Sequence, residues 1–369
     1  MPEVIRNDIF SYQSEGMVTP GFYRLCKAKP ENPQFYLPNL LVTTESLAGQ
    51  HEPFYSACIT NKNLFQSIEN GDIAIVNNDN MLRVILSRKA NHNTVLVTER
   101  CNNQCLFCSQ PPKRVNDDWL LTQSALAIAA FNHDGVIGIS GGEPLLYGDE
   151  FLAFLDFIIE NAPETSLHVL TNGRKLSDSH FAKQIKQRCE SLNITFGIPL
   201  YSSRQGVHDH LVGSRGAFDE TVRGLINAGN LGVNIELRFI PTKSNYRDLP
   251  HVVEYAGRVF SNINQFSIMG LESVGWARSN WNGLFTSPEV YSSYLKESVE
   301  TASRSGLNVV IFNYPLCHLP SELWRYAVQS ISDWKNFYPQ ECEACRKKSL
   351  CAGYFSSSKG RFHQLPRPI

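Results

Sequence analysis

Charge is nearly balanced in this sequence. Thirty-four Lys and Arg stand against 35 Asp and Glu, a net charge of −1. A nucleic-acid partner usually leaves a basic surplus, so no nucleic acid is expected. Long apolar runs are missing as well. Phe151–Ile159 comes closest, and Asp156 interrupts it, so no membrane span or membrane partner is expected. Met1–Gly16 mixes charges into few apolar positions and does not read as a signal peptide. These absences lead to the expectation of a soluble, cytoplasmic protein. What remains is ordinary for a globular chain: 42% apolar and 19% charged residues. A length of 369 residues implies one large domain or two unequal ones.

Cysteine is not scarce. Ten are present: Cys26, Cys58, Cys101, Cys105, Cys108, Cys189, Cys317, Cys342, Cys345 and Cys351. Without an export signal a disulfide framework is not expected. Six of the ten fall into two tight clusters, and tight spacing in a reducing compartment points to metal. Cys26, Cys58 and Cys189 stand alone and read as small buried hydrophobes.

The first ninety or so residues form a small strand-rich region, with Pro30, Pro33 and Pro38 as punctuation and short apolar runs at Ile73–Val76 and Leu82–Leu86. From Thr94 onward strand and helix alternate. Strands are expected at 94–98, 135–140, 167–170, 193–200, 233–240 and 265–269, with one more possible at 307–312. Helices are expected at 120–131, 149–160, 177–189, 218–228, 248–259 and 288–303. Such alternation implies an α/β fold with a parallel sheet. Six units suggest a partial (β/α)6 TIM-like barrel, although periodicity alone leaves an open doubly wound sheet possible. In such barrels chemistry sits at the carboxyl ends of the strands. The implied organisation is an N-terminal region at 1–93, a barrel at 94–313 and a Cys-rich extension at 314–369. The N-terminal region would either bind substrate or cap the barrel.

Cys101-Asn102-Asn103-Gln104-Cys105-Leu106-Phe107-Cys108 directly follows the first strand of the alternation. Spacings of four and three let three thiolates wrap one cuboidal cluster. Such a cluster normally takes four protein thiolates, so three leave one iron open to a small molecule. Spacing alone also admits a zinc site that borrows a fourth ligand.

At this point the sequence resembles the radical S-adenosylmethionine (radical SAM) superfamily. Its C-x-x-x-C-x-Φ-C loop is matched here, with Phe107 as the aromatic. Ser140-Gly141-Gly142-Glu143-Pro144 at the second strand end is similar to the family's G-G-E-P, and Thr171-Asn172-Gly173 at the third to its T-N-G. The resemblance implies a 4Fe–4S cluster on Cys101, Cys105 and Cys108. It also implies S-adenosylmethionine on Phe107, Gly141, Gly142, Glu143, Pro144 and Asn172, with Glu143 facing the methionine amine. Cleavage of that cofactor would give a 5′-deoxyadenosyl radical that abstracts hydrogen from substrate. Glycines at 141 and 142 suit close approach of backbone to a ligand. Pro199–Ser203 and His208-Asp209 look like the family's fourth-strand motif, but Leu200 and Val212 stand where its serine and arginine would. Ser202 and Arg238 are candidate replacements. Equally, Ser202 could be a turn residue, and Arg238 a partner of Glu236 or Glu272.

Cys342-Glu343-Ala344-Cys345, Cys351 and the upstream Cys317 supply four more thiols. By spacing they suit tetrahedral zinc. By resemblance to the auxiliary-cluster extensions of peptide-modifying radical enzymes, they imply a second 4Fe–4S cluster. Residues 101–113, 199–202, 268–272, 330–335 and 342–355 together resemble the C-type radical maturase of the His-Xaa-Ser peptide system. That resemblance implies a ribosomally made precursor peptide with His-Xaa-Ser repeats as substrate. It further implies a second, related radical SAM maturase and an electron donor as partners. Trp334 and Gly270-Leu271-Glu272 also have plain readings, as a core aromatic and a strand end. Two other function classes remain open: a radical SAM enzyme acting on RNA or a small metabolite, and a non-catalytic zinc-binding interaction protein.

Overall fold

The N-terminal strands are short. In a computed structural model, which describes residues 9–12, 14–16, 18–28, 36–45, 54–331 and 335–369, they nonetheless build a seven-stranded sheet. Pro30, Pro33 and Trp334 lie outside the described residues. In chain order the elements are β1 (Ile9–Ser11), β2 (Ser14–Gly16), β3 (Gly21–Cys26), β4 (Asn39–Thr43), β5 (Ala57–Thr60), α1 (Lys62–Ser67), β6 (Ile73–Val76) and β7 (Met81–Leu86). The spatial order is β1-β7-β6-β3-β4-β5-β2. One face buries Leu25, Leu40, Ile59 and Leu82 with Leu64 of α1. Phe22, Ile73, Ile85 and Leu86 join the main core instead. Cys26 and Cys58 are fully buried in a small cluster with Leu41 and Tyr55.

The second sheet is an unbroken parallel series. Its elements are β8 (Asn93–Thr98), α2 (Asp118–Phe131), β9 (Val136–Gly141), α3 (Asp149–Asn161), β10 (Ser166–Leu170), α4 (Ser179–Cys189) and β11 (Ile194–Pro199). There follow α5 (Gln205–Val212), α6 (Ala217–Asn230), β12 (Asn234–Phe239), α7 (Leu249–Val259), β13 (Ile263–Met269), α8 (Gly275–Ser279), α9 (Trp281–Leu284), α10 (Ser292–Arg304), β14 (Val309–Phe312) and β15 (Ala327–Val328). Strands β8 to β15 are adjacent in sequence order. Among the described residues β8 and β15 do not pair, so the barrel stays open along one side. The six expected units are thus extended by β14 and the two-residue β15.

Side-chain alternation explains the layers. Ile137, Ile139, Leu167, Val169, Phe196, Ile198, Leu237 and Phe239 are buried against the helices. Residues between them, including Gly138, His168, Gly197 and Glu236, fall on the opposite face, toward the barrel axis. The helices carry their own start signals. Asp178, for example, accepts from the backbone N–H groups of His180 and Phe181 at the head of α4.

The first sheet lies along α2. Phe22 meets Trp119 edge-on at 6.2 Å, and Arg88 Nη2 donates to Phe131 O at 2.5 Å. These contacts run from the first turn of α2 to its last residue, so the region covers the flank of the barrel. In the tail, β16 (Asn336–Phe337) and β17 (Tyr354–Phe355) pair antiparallel. No helix among the described residues is long and apolar enough to cross a membrane.

Candidate active site

The cysteine loop leaves β8 and is pinned from several sides. Gln104 N–H donates to Val212 O at 2.8 Å and Leu106 N–H to Leu211 O at 2.9 Å, so the end of α5 carries the loop backbone. Trp276 N–H donates to Cys108 O at 2.9 Å, and Asn280 Nδ2 to Leu106 O at 2.8 Å. Gly213, at φ 61°, passes so close that a Cβ would sit 2.4 Å from Gln104 O. Arg174, which the sequence reading did not single out, is the main clamp. Its Nη1 donates to Asn102 O at 2.8 Å, Asn103 Oδ1 at 2.7 Å and Ser214 Oγ at 3.0 Å. Glu220 holds its Nε at 2.6 Å. A cation directly after Thr171-Asn172-Gly173 was the available signal.

Cys101, Cys105 and Cys108 line one cavity of about 460 Å³, within the usual ~300–1,000 Å³ of small-molecule sites. Phe107, Gly141, Gly142, Asn172 and Arg238 share that lining. Phe107 packs edge-on against Tyr201 at 4.7 Å. Asn103 N–H donates to Cys101 Sγ at 3.3 Å. Burial pushes the Cys101 thiol up to about 12 and raises those of Cys105 and Cys108 too. A bound cation or cluster would favour their thiolate form.

Glu143 needs a correction. The reading from sequence turned its carboxylate toward an ammonium. In the structure it is 1% exposed and faces inward. Oε1 accepts from Leu145 N–H at 2.9 Å and Thr171 Oγ1 at 2.5 Å, and Oε2 from Asn172 N–H at 2.6 Å. Burial raises its carboxyl despite these bonds. Glu143 thus ties the end of β9 to the end of β10 and does not line the cavity. Pro144 opens the buried 3-10 turn behind it and is also off the cavity wall. The backbone at Gly141 and Gly142 faces the ligand space instead. A Cβ on Gly142 would fall 2.1 Å from Arg100 O.

Ser202 is corrected as well. It is fully buried, and its hydroxyl donates to Asp248 Oδ2 and accepts from Arg204 N–H at 3.0 Å. It is the turn residue, away from the cavity. His208 and Asp209 are structural. Tyr201 N–H donates to His208 Nδ1 at 3.2 Å, and burial lowers the imidazole to about 4. Asp209 accepts from Gly216 and Phe218 N–H at 2.6 and 2.8 Å, holding the start of α6. Arg238 does face the cavity. Its Nη2 lies 2.9 Å from Met269 Sδ, and its Nε lies 3.8 Å from Glu236 Oε1. Glu272 pairs instead with Lys335 at 3.5 Å on the cavity wall.

The tail brings distant thiols together. Cys317, Cys342, Cys345 and Cys351 line a single cavity with Tyr338 and Tyr354. Two backbone N–H groups, of Leu316 and Gly353, donate to Cys351 Sγ at 3.3 and 3.4 Å. Ile369 N–H reaches Cys345 Sγ at 3.5 Å. Burial lifts Cys342 to about 11. Burial also opposes ionisation of Cys317, but contacts with His318 and Tyr354 bring it down to about 7. Among the described residues no group of three or more His, Cys, Asp and Glu side chains is poised to hold a single metal ion.

A family model covers the segment that carries the cysteine loop. Residues 95–256 match the model of the radical SAM superfamily. Residues 95–256 form a radical SAM domain. Among curated relatives, Fe-coproporphyrin III synthase of Methanosarcina barkeri is 32% identical over 166 residues, 43% of this chain and 39% of that protein. A probable GTP 3′,8-cyclase of Pyrobaculum aerophilum is 26% identical over 265 residues, 69% of this chain and 79% of that protein. A GTP 3′,8-cyclase of Campylobacter jejuni matches at 28% over 46% of this chain and 53% of that protein. This chain therefore spans well under two thirds of some of these relatives. Among solved structures, Streptococcus suis SuiB bound to S-adenosylmethionine overlaps 59% of this chain and 50% of its own, at 16% identity and a TM-score of 0.46.

The radical SAM domain implies a 4Fe–4S cluster and S-adenosylmethionine, and the residues present fit both. Three thiols share one cavity wall with the backbone of Gly141 and Gly142, which close packing on Thr98 O and Arg100 O holds in place. Bound there, the cluster and cofactor supply one-electron cleavage and a carbon radical. The chain's own task is to hold the loop, shape the wall and limit water.

Proposed function

We propose that this chain is a radical SAM enzyme that modifies a ribosomally made precursor peptide with His-Xaa-Ser repeats. It would work beside a second, related maturase and an electron donor. The observation that carries the radical reading is the shared cavity of Cys101, Cys105, Cys108, Gly141, Gly142 and Asn172. Peptide modification is supported by the second, four-cysteine cavity, through the tail's resemblance to the auxiliary-cluster extensions of peptide-modifying radical enzymes. We assign it an auxiliary 4Fe–4S cluster. The opening between β8 and β15 offers an extended substrate a lateral way in. Arg238, Glu272 and Lys335 supply the polar groups that would orient it. A separate cavity of about 590 Å³ beside Cys101, lined by Arg100, Lys113, Arg114 and Trp276, suits approach of the electron donor.

A second reading, a small-metabolite enzyme, is favoured by the match to a probable GTP 3′,8-cyclase across 79% of that protein. Co-expression with a His-Xaa-Ser repeat peptide, followed by mass spectrometry, separates the two. A mass change on the peptide that requires Cys101 supports the first reading. An unmodified peptide, with 5′-deoxyadenosine formed only on addition of a nucleotide, supports the second.

A further inference from the structure

The tail cavity has an unusual neighbour. His318, buried at 1% side-chain exposure, lies between a carboxylate and a phenol. Its Nδ1 is 2.9 Å from Glu289 Oε1, and a carboxylate can only accept, so that nitrogen carries hydrogen. Its Nε2 is 2.8 Å from the Tyr354 hydroxyl; with hydrogen on both ring nitrogens it donates to the phenol oxygen and leaves the phenol's single hydrogen free. The same hydroxyl lies 3.6 Å from Cys317 Sγ. Gln364 Nε2 braces the other oxygen of Glu289 at 3.1 Å. Five side chains from four segments thus form one chain of contacts that ends on a sulfur.

Cys317 is also the tail cysteine most remote in sequence from the others. Nothing in local spacing places it, so a tertiary device must. Residues that orient a metal ligand commonly do so through a hydrogen bond to the ligating group, and such bonds to cluster sulfurs set the redox potential. Burying an imidazole beside a phenol is costly unless each finds its partner. Here each does.

We propose that Glu289, His318 and Tyr354 are positioning residues for a cluster ligand at Cys317, with the Tyr354 hydroxyl donating to the Cys317 thiolate and setting the potential of the tail centre. The proposal rests on the auxiliary-cluster reading of the tail. Hydrogen bonds to a ligating sulfur draw off negative charge and favour the reduced cluster. Removing this one should lower the potential.

The test uses the full chain with Cys101, Cys105 and Cys108 replaced by Ala, so that any remaining iron signal comes from the tail. After anaerobic reconstitution the midpoint potential is followed by electron paramagnetic resonance. Tyr354→Phe, which deletes only the hydroxyl, should retain iron and shift the midpoint to lower potential. Glu289→Gln, one link further out, should shift it less and in the same direction. It also serves if Tyr354→Phe does not fold. Iron loss in Tyr354→Phe with an unchanged circular-dichroism spectrum would support the contact as well. An unchanged midpoint with iron retained in both variants would overturn the positioning role while leaving the tail cluster standing. A tail that takes up no iron, or only zinc, before either substitution would overturn the cluster reading and this proposal with it.

Discussion

Glu143 Oε2 accepts the backbone N–H of Asn172 at 2.6 Å, across a sequence separation of 29 residues. That bond joins the ends of two neighbouring strands, and the Asn172 side chain continues it. Asn172 Nδ2 donates to Asn102 Oδ1 at 2.6 Å. The cysteine loop is thereby registered against the second and third strand ends.

Glu143→Ala is expected to destabilise the fold as well as weaken cofactor binding. It strands three donors, on Leu145, Thr171 and Asn172. Each buried unsatisfied group costs about 1–3 kcal/mol. Urea unfolding should give a loss of about 3 kcal/mol or more. A full-stability variant with weak binding would return Glu143 to the direct-ligand role.

Arg174→Lys keeps the charge but loses the planar fork that holds Glu220 through Nε while Nη1 reaches Asn102 and Asn103. Reconstituted iron in the first site should fall several-fold, with the circular-dichroism spectrum unchanged. Retention of full iron would mean that the helix end at Leu211 and Val212 holds the loop unaided.

His208 makes stability depend on pH. Burial lowers its folded pKa to about 4, from an ordinary value near 6.5. A lowered histidine stabilises the fold above its unfolded pKa. That contribution is lost as pH falls from about 6.5 toward 4, on the order of 3 kcal/mol in all. His208→Asn retains an acceptor for Tyr201 N–H and should flatten this part of the profile. Melting temperatures across that range, compared with the parent, measure the difference.

Removal of residues 1–90 would uncover Trp119 and delete Phe22, Ile73, Ile85 and Leu86 from the main core. The truncated chain is expected to aggregate on expression. A soluble, monodisperse product by gel filtration would show that α2 tolerates the exposed flank.

Much of the barrel was legible because β-branched runs such as Thr94–Thr98 and Ile194–Pro199 carry their own period. Helix α5 was not. Gly206 interrupts it and its eight residues are few, so local pattern is weak, and its position depends on its bonds to the cysteine loop. The cysteine clusters were readable from spacing, but Cys317 acquires its neighbours only through the tail's 3-10 turns. Glu143 was visible as a carboxylate at a strand end. Which way it faced was not, since Thr171 and Asn172 claim it only once β9 and β10 are adjacent. Ser202 was left open between a cofactor contact and a turn for a similar reason: its partner, Asp248, lies 46 residues away.

The short strand β17 has a mechanical consequence. Tyr354 lines the tail cavity, and Phe355, the next residue, lines the reaction cavity. Successive side chains on an extended strand point to opposite faces. The strand thus borders both chambers with alternate side chains, and both residues also border a third cavity. Adding or deleting a single residue just before Tyr354 would turn the phenol toward the first cavity and the phenyl ring toward the tail thiols, with the two rings themselves unchanged.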